Sequence, residues 1–147
     1  MPLKVEIVTA EQLVYSEEEV DRLIVPGVEG ELGVLTLHAP LLTMIQPGVL
    51  RIVKGDDEVE MAITGGFIEV RDNRITILAD AAERAEEIDV ERAEEARRQA
   101  QRRLEARETE VDLAQVQAEL AQALARIKAV TRRRRRRGGV PPGPPRP

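Results

Sequence analysis

One serine, one histidine and no cysteine stand in a chain of 147 residues. Ser16 and His38 are therefore the sole pair from which a hydroxyl nucleophile and an imidazole base could be assembled, with a carboxylate as third member. Ser16 lies beside the acidic run Glu17 to Glu19 in a segment patterned like a strand edge, and His38 stands in a loop just before Pro40, where local hydrogen bonding accounts for it. No His-Glu-x-x-His spacing is present, and a lone histidine without thiolates could hold zinc only together with carboxylates. Carboxylates are abundant, but in Glu-Glu-Glu and Ala-Glu-Glu runs that read as solvated faces rather than acid and base. A nucleotide hydrolase would need a phosphate loop or acidic residues set around a phosphate, and the sequence has neither. The inventory argues against catalysis by this chain alone.

Glycine spacing is more telling. Pro26-Gly27-Val28-Glu29-Gly30-Glu31-Leu32-Gly33 places three glycines at three-residue intervals, ahead of Leu37-His38-Ala39-Pro40-Leu41-Leu42. A phosphate loop would end in Gly-Lys-Ser or open a helix, so the segment reads instead as a wide, exposed turn between strands, a place where partners bind.

The elements that must position these residues change twice along the chain. From Leu3 to about Asp80, short Val- and Ile-rich runs are punctuated by Gly, Pro, Asp and Asn. Leu3, Val5 and Ile7 alternate with Lys4 and Glu6, and Val59, Met61 and Ile63 with Glu58, Glu60 and Ala62, which gives each strand one buried and one wet face. Gly48 to Lys54 contains VLRIV, apolar on both parities, as in a strand covered on both sides. Asp72-Asn73 joins FIEVR to RITIL as a two-residue hairpin turn, and a second turn falls at Gly55-Asp56-Asp57. The pattern predicts an antiparallel sandwich or flattened barrel over residues 1–84.

Residues 85–131 carry helix composition, with neither Gly nor Pro from Asp89 to Val130. Ala93, Ala96, Ala100 and Leu104 mark one apolar stripe; Leu113, Val116, Leu120, Leu124 and Ile127 mark another. Two helices of about 17 residues are expected, capped by Asp89 and Asp112. An alanine stripe buries little area, so the hairpin should dock weakly and be able to detach. Residues 132–147, RRRRRRGGVPPGPPRP, cannot bury enough apolar surface to offset their ordering entropy and read as a disordered tail.

Charge divides along the same line. The formal net charge is −5, but residues 132–147 hold seven Arg and no acid, leaving 15 basic against 27 acidic groups, a net −12, over residues 1–131. Arg132 to Arg137 would attract nucleic acid or an acidic partner, which supplies an alternative reading as a binding module; the acidic body offers that patch no continuation. Tyr15 and Phe67 are the only aromatics, too few for a base-stacking platform. No apolar run reaches the roughly 18 residues of a membrane span, and MPLKVEIVTAEQ lacks the pattern of a secretory signal. The chain is expected to be soluble and cytosolic.

The stretch PGVEGELGVLTLHAPLLTMIQPGVL (26–50), followed by GGFIEVRDNRITILADAAERAEEIDVERA (65–93), resembles the epsilon subunit of bacterial F-type ATP synthases, called delta in mitochondria. The resemblance runs in order over residues 1 to about 130 and excludes the arginine and Pro/Gly tail. It implies an α+β chain: a sandwich of about ten strands followed by a two-helix hairpin. It also implies a non-catalytic rotor subunit, peripheral on the cytoplasmic face of the cell membrane, that couples proton-driven rotation of the c-ring to ATP synthesis through the gamma subunit.

By motif, Glu29, Gly30 and Glu31 would face the c-ring and His38 the gamma subunit. The hairpin would move between a compact form and an extended form that blocks ATP hydrolysis, presenting Arg98, Arg102 and Arg103 transiently to the alpha and beta catalytic subunits; the same arginines also read as ordinary Glu/Arg pairs on a wet helix. Some members bind regulatory ATP through an Ile-Asp-x-x-Arg-Ala motif, matched here by Ile88, Asp89, Arg92 and Ala93, with Glu83 before it and Arg126 on the second helix. Gln99 and Gln122 depart from that pattern, standing where ATP-binding relatives tend to carry basic residues, and Asp89 as a helix cap explains the motif as well. No cofactor is required, and neither nucleic acid nor membrane insertion is expected.

Overall fold

The computed structural model describes residues 2–106 and 110–137. Ten strands come first: β1 (Leu3–Val8), β2 (Leu13–Val20), β3 (Arg22–Gly27), β4 (Gly30–Leu35), β5 (Leu41–Ile45), β6 (Gly48–Lys54), β7 (Asp57–Ile63), β8 (Gly66–Arg71), β9 (Arg74–Ala79) and β10 (Ala82–Arg84). A 3-10 turn, Ala85–Glu87, leads into α1 (Val90–Ala106) and α2 (Glu110–Arg136). The strands follow the order β10-β7-β6-β3-β5-β8-β9-β1-β2, with β4 branching from β3. This continuous sheet folds on itself, so that Leu3, Val5 and Ile7 of β1 share one core with Leu23 and Val25 of β3, Leu50 and Ile52 of β6, and Ile68, Ile75 and Ile77 of β8 and β9.

The alternation read from the sequence is the reason: β9 buries Ile75, Ile77 and Ala79 and exposes the residues between them. Turn chemistry closes the hairpins. Asp72 and Asn73 take φ of 51° and 60° between the partners Arg71 and Arg74, the two positive values that a twisted two-residue turn demands. Gly55, at φ 59°, turns β6 into β7 and donates its N–H to Asp21 Oδ2 at 2.6 Å.

Several expectations are corrected. The sheet is not wholly antiparallel: β1 lies parallel to β9, Lys4 to Val8 opposite Arg74 to Leu78, a long-range pairing that no local turn announces. The glycine-spaced segment is not a wide turn either. Gly27 and Gly30 are partners across a two-residue turn at Val28-Glu29, and a Cβ on Gly27 would lie 2.8 Å from the Gly30 carbonyl oxygen. Asp112 falls inside α2 rather than ahead of it, whereas Asp89 does cap α1, its Oδ1 accepting the Arg92 N–H at 3.2 Å. Finally, α2 runs 27 residues and carries Arg132 to Arg136 as helix. Arginine is a good helix former, and cations at a helix C-terminus oppose its negative dipole end. Residues 138–147 of the expected disordered tail lie outside the described residues.

The hairpin is docked. Ala125, Ala129 and Val130 of α2 pack with Val49 and Ala62 on the outer face of β6 and β7 and with Ala85 and Ile88 at the hairpin junction. The expected stripe is buried only in part: Val116 is buried and Leu120 and Ile127 are half-buried, but Leu113 and Leu124 are each 47% exposed, because small alanines let the helix backbone approach the sheet and larger residues would hold it off. The expected wet face of β7 is consequently covered, and Glu60 is only 2% exposed. VLRIV does sit between two layers, with Leu50 and Ile52 in the sandwich core and Val49 under α2.

Candidate functional site

Ser16 and His38 form no dyad. Ser16 lies on edge strand β2 opposite Glu6, and His38 lies in the β4–β5 loop with Nδ1 2.7 Å from the Ala39 carbonyl oxygen. Among the described residues no group of three His, Cys, Asp or Glu side chains could hold a metal ion, and no helix is long and apolar enough to cross a membrane.

What the fold exposes is an apolar face. Paired residues on neighbouring strands project to the same side of a sheet, and Met44, Phe67 and Leu78 are successive partners across β5, β8 and β9, with Leu42 one pleat along. All four are at least half exposed, from 51% at Phe67 to 70% at Leu42, and Glu69 and Thr76 border them. Contiguous apolar surface with a polar border marks a docking site in a soluble domain. The sequence carried a signal for it: LLTMI in β5 is apolar on both parities, as VLRIV is in β6, and the only phenylalanine alternates out of phase with buried Ile68 and Val70.

Glu29, Gly30 and Glu31 and the residue His38 occupy opposite ends of β5. Gly27 pairs with Ile45 at one end, while the loop bearing His38 enters at Leu41 and is pinned where the Leu37 N–H donates to Asn73 Oδ1 at 2.7 Å. Five residues of strand, roughly 16 Å, part them. Val28 and Glu29 occupy the exposed tip, the Val28 carbonyl accepts the Gln46 Nε2 donor at 3.1 Å, and Glu31 pairs with Arg51 at 3.1 Å.

At the hairpin junction the structure gathers the other set. Arg126 on α2 reaches Glu83 on β10 at 3.1 Å, Ile88 and Ala93 are buried on either side of the cap Asp89, and Arg92 is exposed on the first turn of α1. Gln99, Gln122 and Arg126 line a cleft of about 180 Å³ between the two helices. Small-molecule pockets span roughly 300–1,000 Å³, and this cleft is smaller, with Arg126 on Glu83. Among the arginines of α1, Arg98 lies 2.8 Å from Glu95 and Arg103 3.1 Å from Glu119, while Arg102 is exposed. The Arg98 pair holds the Glu95 carboxyl below its usual range, by hydrogen bonding first.

Reasoning from sequence missed one site altogether. Arg136 is hydrogen-bonded to buried Glu60, lies 3.2 Å from the Glu58 carboxylate, and donates from Nη2 to the Glu58 carbonyl at 2.7 Å. Its guanidinium is held above its ordinary value, chiefly by the bond to Glu60. Arg133 lies 3.7 Å from Glu86. Two members of the arginine run thus face the body of the molecule rather than a nucleic acid. Nothing in the local sequence could reveal this, since Glu60 and Arg136 are 76 residues apart.

A sandwich with one bare apolar face and a helical hairpin held on the other has the build of an assembly subunit, a piece made to be gripped. Comparison with known proteins makes this specific: the model for the ATP synthase delta/epsilon chain beta-sandwich domain matches residues 2–85, and that for the delta/epsilon chain long alpha-helix domain matches residues 86–131. The chain belongs to the ATP synthase delta/epsilon chain family. It is 51% identical over 136 residues to the ATP synthase epsilon chain of Herpetosiphon aurantiacus, covering 92% of this chain and 99% of that one. To the epsilon chain of Desulforamulus reducens it is 46% identical over 126 residues, 86% and 95% of the two chains. Its fold is shared with a chain in the Euglena gracilis mitochondrial ATP synthase OSCP/F1/c-ring structure, with a TM-score of 0.67 and 24% identity over 83% of this chain and 76% of that one. A chain of the Tetrahymena thermophila mitochondrial ATP synthase central stalk and c-ring gives 0.58 and 15%, over 88% and 97%.

Proposed function

We propose that the chain is a non-catalytic rotor subunit of a proton-translocating F-type ATP synthase, peripheral on the cytoplasmic face of the membrane, that couples c-ring rotation to the catalytic head and restrains ATP hydrolysis. The observation that carries this reading is the exposed Leu42, Met44, Phe67 and Leu78 face. It is suited to the gamma subunit, with His38 at one border, while the Glu29–Glu31 turn at the other end of β5 suits the polar loops of the c-ring. A partner seated across three hydrogen-bonded strands loads the sandwich as one body, because close-packed interiors deform little. Acidic Glu29 at the exposed tip would set register and encounter more than affinity.

The hairpin is the regulatory part in this reading. Its docking face is built from small side chains, each buried CH2 being worth about 0.8 kcal/mol, so docked and released positions lie close in free energy. On release, the arginines of α1, exposed Arg102 among them, would meet acidic surfaces of the alpha and beta subunits, which would compete with Glu95 for Arg98 and with Glu119 for Arg103. Regulatory ATP would enter between the helices only if Arg126 exchanged Glu83 for phosphate, a fork-on-anion contact that arginine favours; Asp89 and Glu83 would then accept from adenine or ribose donors.

The test is reconstitution with purified gamma subunit and catalytic head. Co-elution is expected for the parent chain and its loss for Phe67→Glu, with the variant's circular dichroism unchanged. A parent chain that fails to associate overturns the rotor reading. Calorimetry with ATP, repeated on Arg126→Ala, checks the nucleotide: heat from the parent and none from the variant supports the site.

A further inference from the structure

The sandwich receives the arginine end of α2 with its one buried charged side chain among the described residues, Glu60. A carboxylate on the outer face of β7 would be hydrated if the hairpin were absent; α2 removes that water, and the cost of leaving such a charge unpaired is large. Arg136 answers it with a fork: Nε to one Glu60 oxygen, Nη2 3.3 Å from the other, and the same two nitrogens facing the Glu58 carboxylate and carbonyl. One turn back, Arg133 reaches Glu86 in the 3-10 turn that opens the hairpin. The two contacts line a cleft of about 390 Å³ in which Lys54, Arg84 and Arg137 face Glu17, Asp57 and the same three glutamates. Its charges are matched within the molecule, which makes it a seam between two parts of one chain rather than a trap for a free anion.

We propose that Arg136 and Arg133, set against Glu60, Glu58 and Glu86, form an ion latch that decides whether α2 stays on the sandwich. The inference rests on the reading of the hairpin as a movable regulator and names what holds its C-terminal end, beyond the Arg126–Glu83 pair nearer the junction. Both positions satisfy Glu60, by Arg136 when docked and by water when released, so the latch opens without stranding a charge. Removing Arg136 penalises the docked position alone. Removing Glu60 as well lifts that penalty, because no buried carboxylate is left to pair. The Arg133 contact is longer and more exposed, hence weaker and more readily screened by salt.

The parent has no cysteine, so spin labels at Glu11→Cys and Ala118→Cys, both exposed sites on sandwich and α2, report the distance between them in the full chain. One population is expected for the parent. Arg136→Gln should raise the ratio of released to docked hairpin by about tenfold or more, Arg133→Gln by less, and Glu60→Gln/Arg136→Gln should fall back towards the parent. Amide exchange of β1 and β9 is measured on each variant, and parent-like protection ties any change to the hairpin rather than to a failing sandwich. An unchanged distance distribution in Arg136→Gln overturns the latch, as does a double variant opening as far as the single one. The Arg136→Gln chain is then assembled into the synthase, where lowered hydrolysis is expected. Opening with unchanged hydrolysis keeps the latch and overturns the regulatory reading; no opening overturns the latch whatever hydrolysis does.

Discussion

The outer faces of the two halves of the sandwich answer the same problem in different ways. On β5, β8 and β9 the outward residues are large and bare: Leu42, Met44, Phe67 and Leu78. On β6 and β7 they are small or charged, Val49, Ala62 and Glu60, and α2 covers them with alanine, one valine and Arg136. Large apolar side chains give a strong, non-directional grip that suits a partner held permanently. Small side chains with a buried ion pair give a contact of low apolar yield that is specific in register, which suits one that is broken and remade. In the proposed reading one sheet carries an external joint on one side and an internal one on the other.

The sharpest break of this comparison uses neighbouring residues. Ile68→Ala, in the core, should cost about 2–5 kcal/mol in denaturant unfolding, whereas Phe67→Ala, one residue back and outward, should change stability by less than about 0.5 kcal/mol. In binding to the gamma subunit the order should reverse for these two strand neighbours, Phe67→Ala losing about 2 kcal/mol or more, roughly thirtyfold in Kd by titration calorimetry. Comparable binding by Phe67→Ala and parent would remove the external joint. Truncation at about Asp89 removes only the internal joint and should raise ATP hydrolysis by the assembled synthase while assembly survives, measured by a coupled ATPase assay and gel filtration.

A smaller effect sharpens the internal side. Asp89→Ala removes the cap of α1 and should lower hairpin stability by about 1 kcal/mol, seen as lost helical signal at constant sandwich protection. Smallest is the tie between Glu17 on β2 and Lys54 on β6, 2.7 Å apart. The Lys54 hydrogen bond, then its charge, holds the Glu17 carboxyl below its ordinary 4.5. A depressed acid contributes above its unfolded value and loses that contribution as pH falls through the folded one, so parent and Glu17→Gln should differ slightly at neutral pH and converge as the medium is acidified past the ordinary glutamate range in urea titrations.

Legibility in the sequence follows the range of the forces involved. Asp72-Asn73, the β9 alternation and the Asp89 cap depend on neighbours within a few residues, and each could be read directly. The apolar face was readable by the both-parities rule that singled out β6, had it been applied to LLTMI. Glu60 was assigned to a wet face because alternation tells only that two faces differ; what covers the second is a helix ending 76 residues later. The leucine stripe misled for a related reason: hydrophobicity ranks Leu124 above Ala125, but closeness of approach to the sheet, which favours Ala125, is a property of the pair of surfaces.

The alanine docking face also bears on speed. A helix seated by interdigitated leucines must withdraw each side chain from a hole before it can leave, and that withdrawal is a barrier. Ala125 and Ala129 offer almost no relief, so α2 can lift from Val49 and Ala62 as a smooth rod. Residence time on the sandwich then depends on how fast the Arg136 fork breaks and water reaches Glu60. Such a hairpin re-seats with little apolar relief to thread, and its register is set at the end by Arg136 finding Glu60.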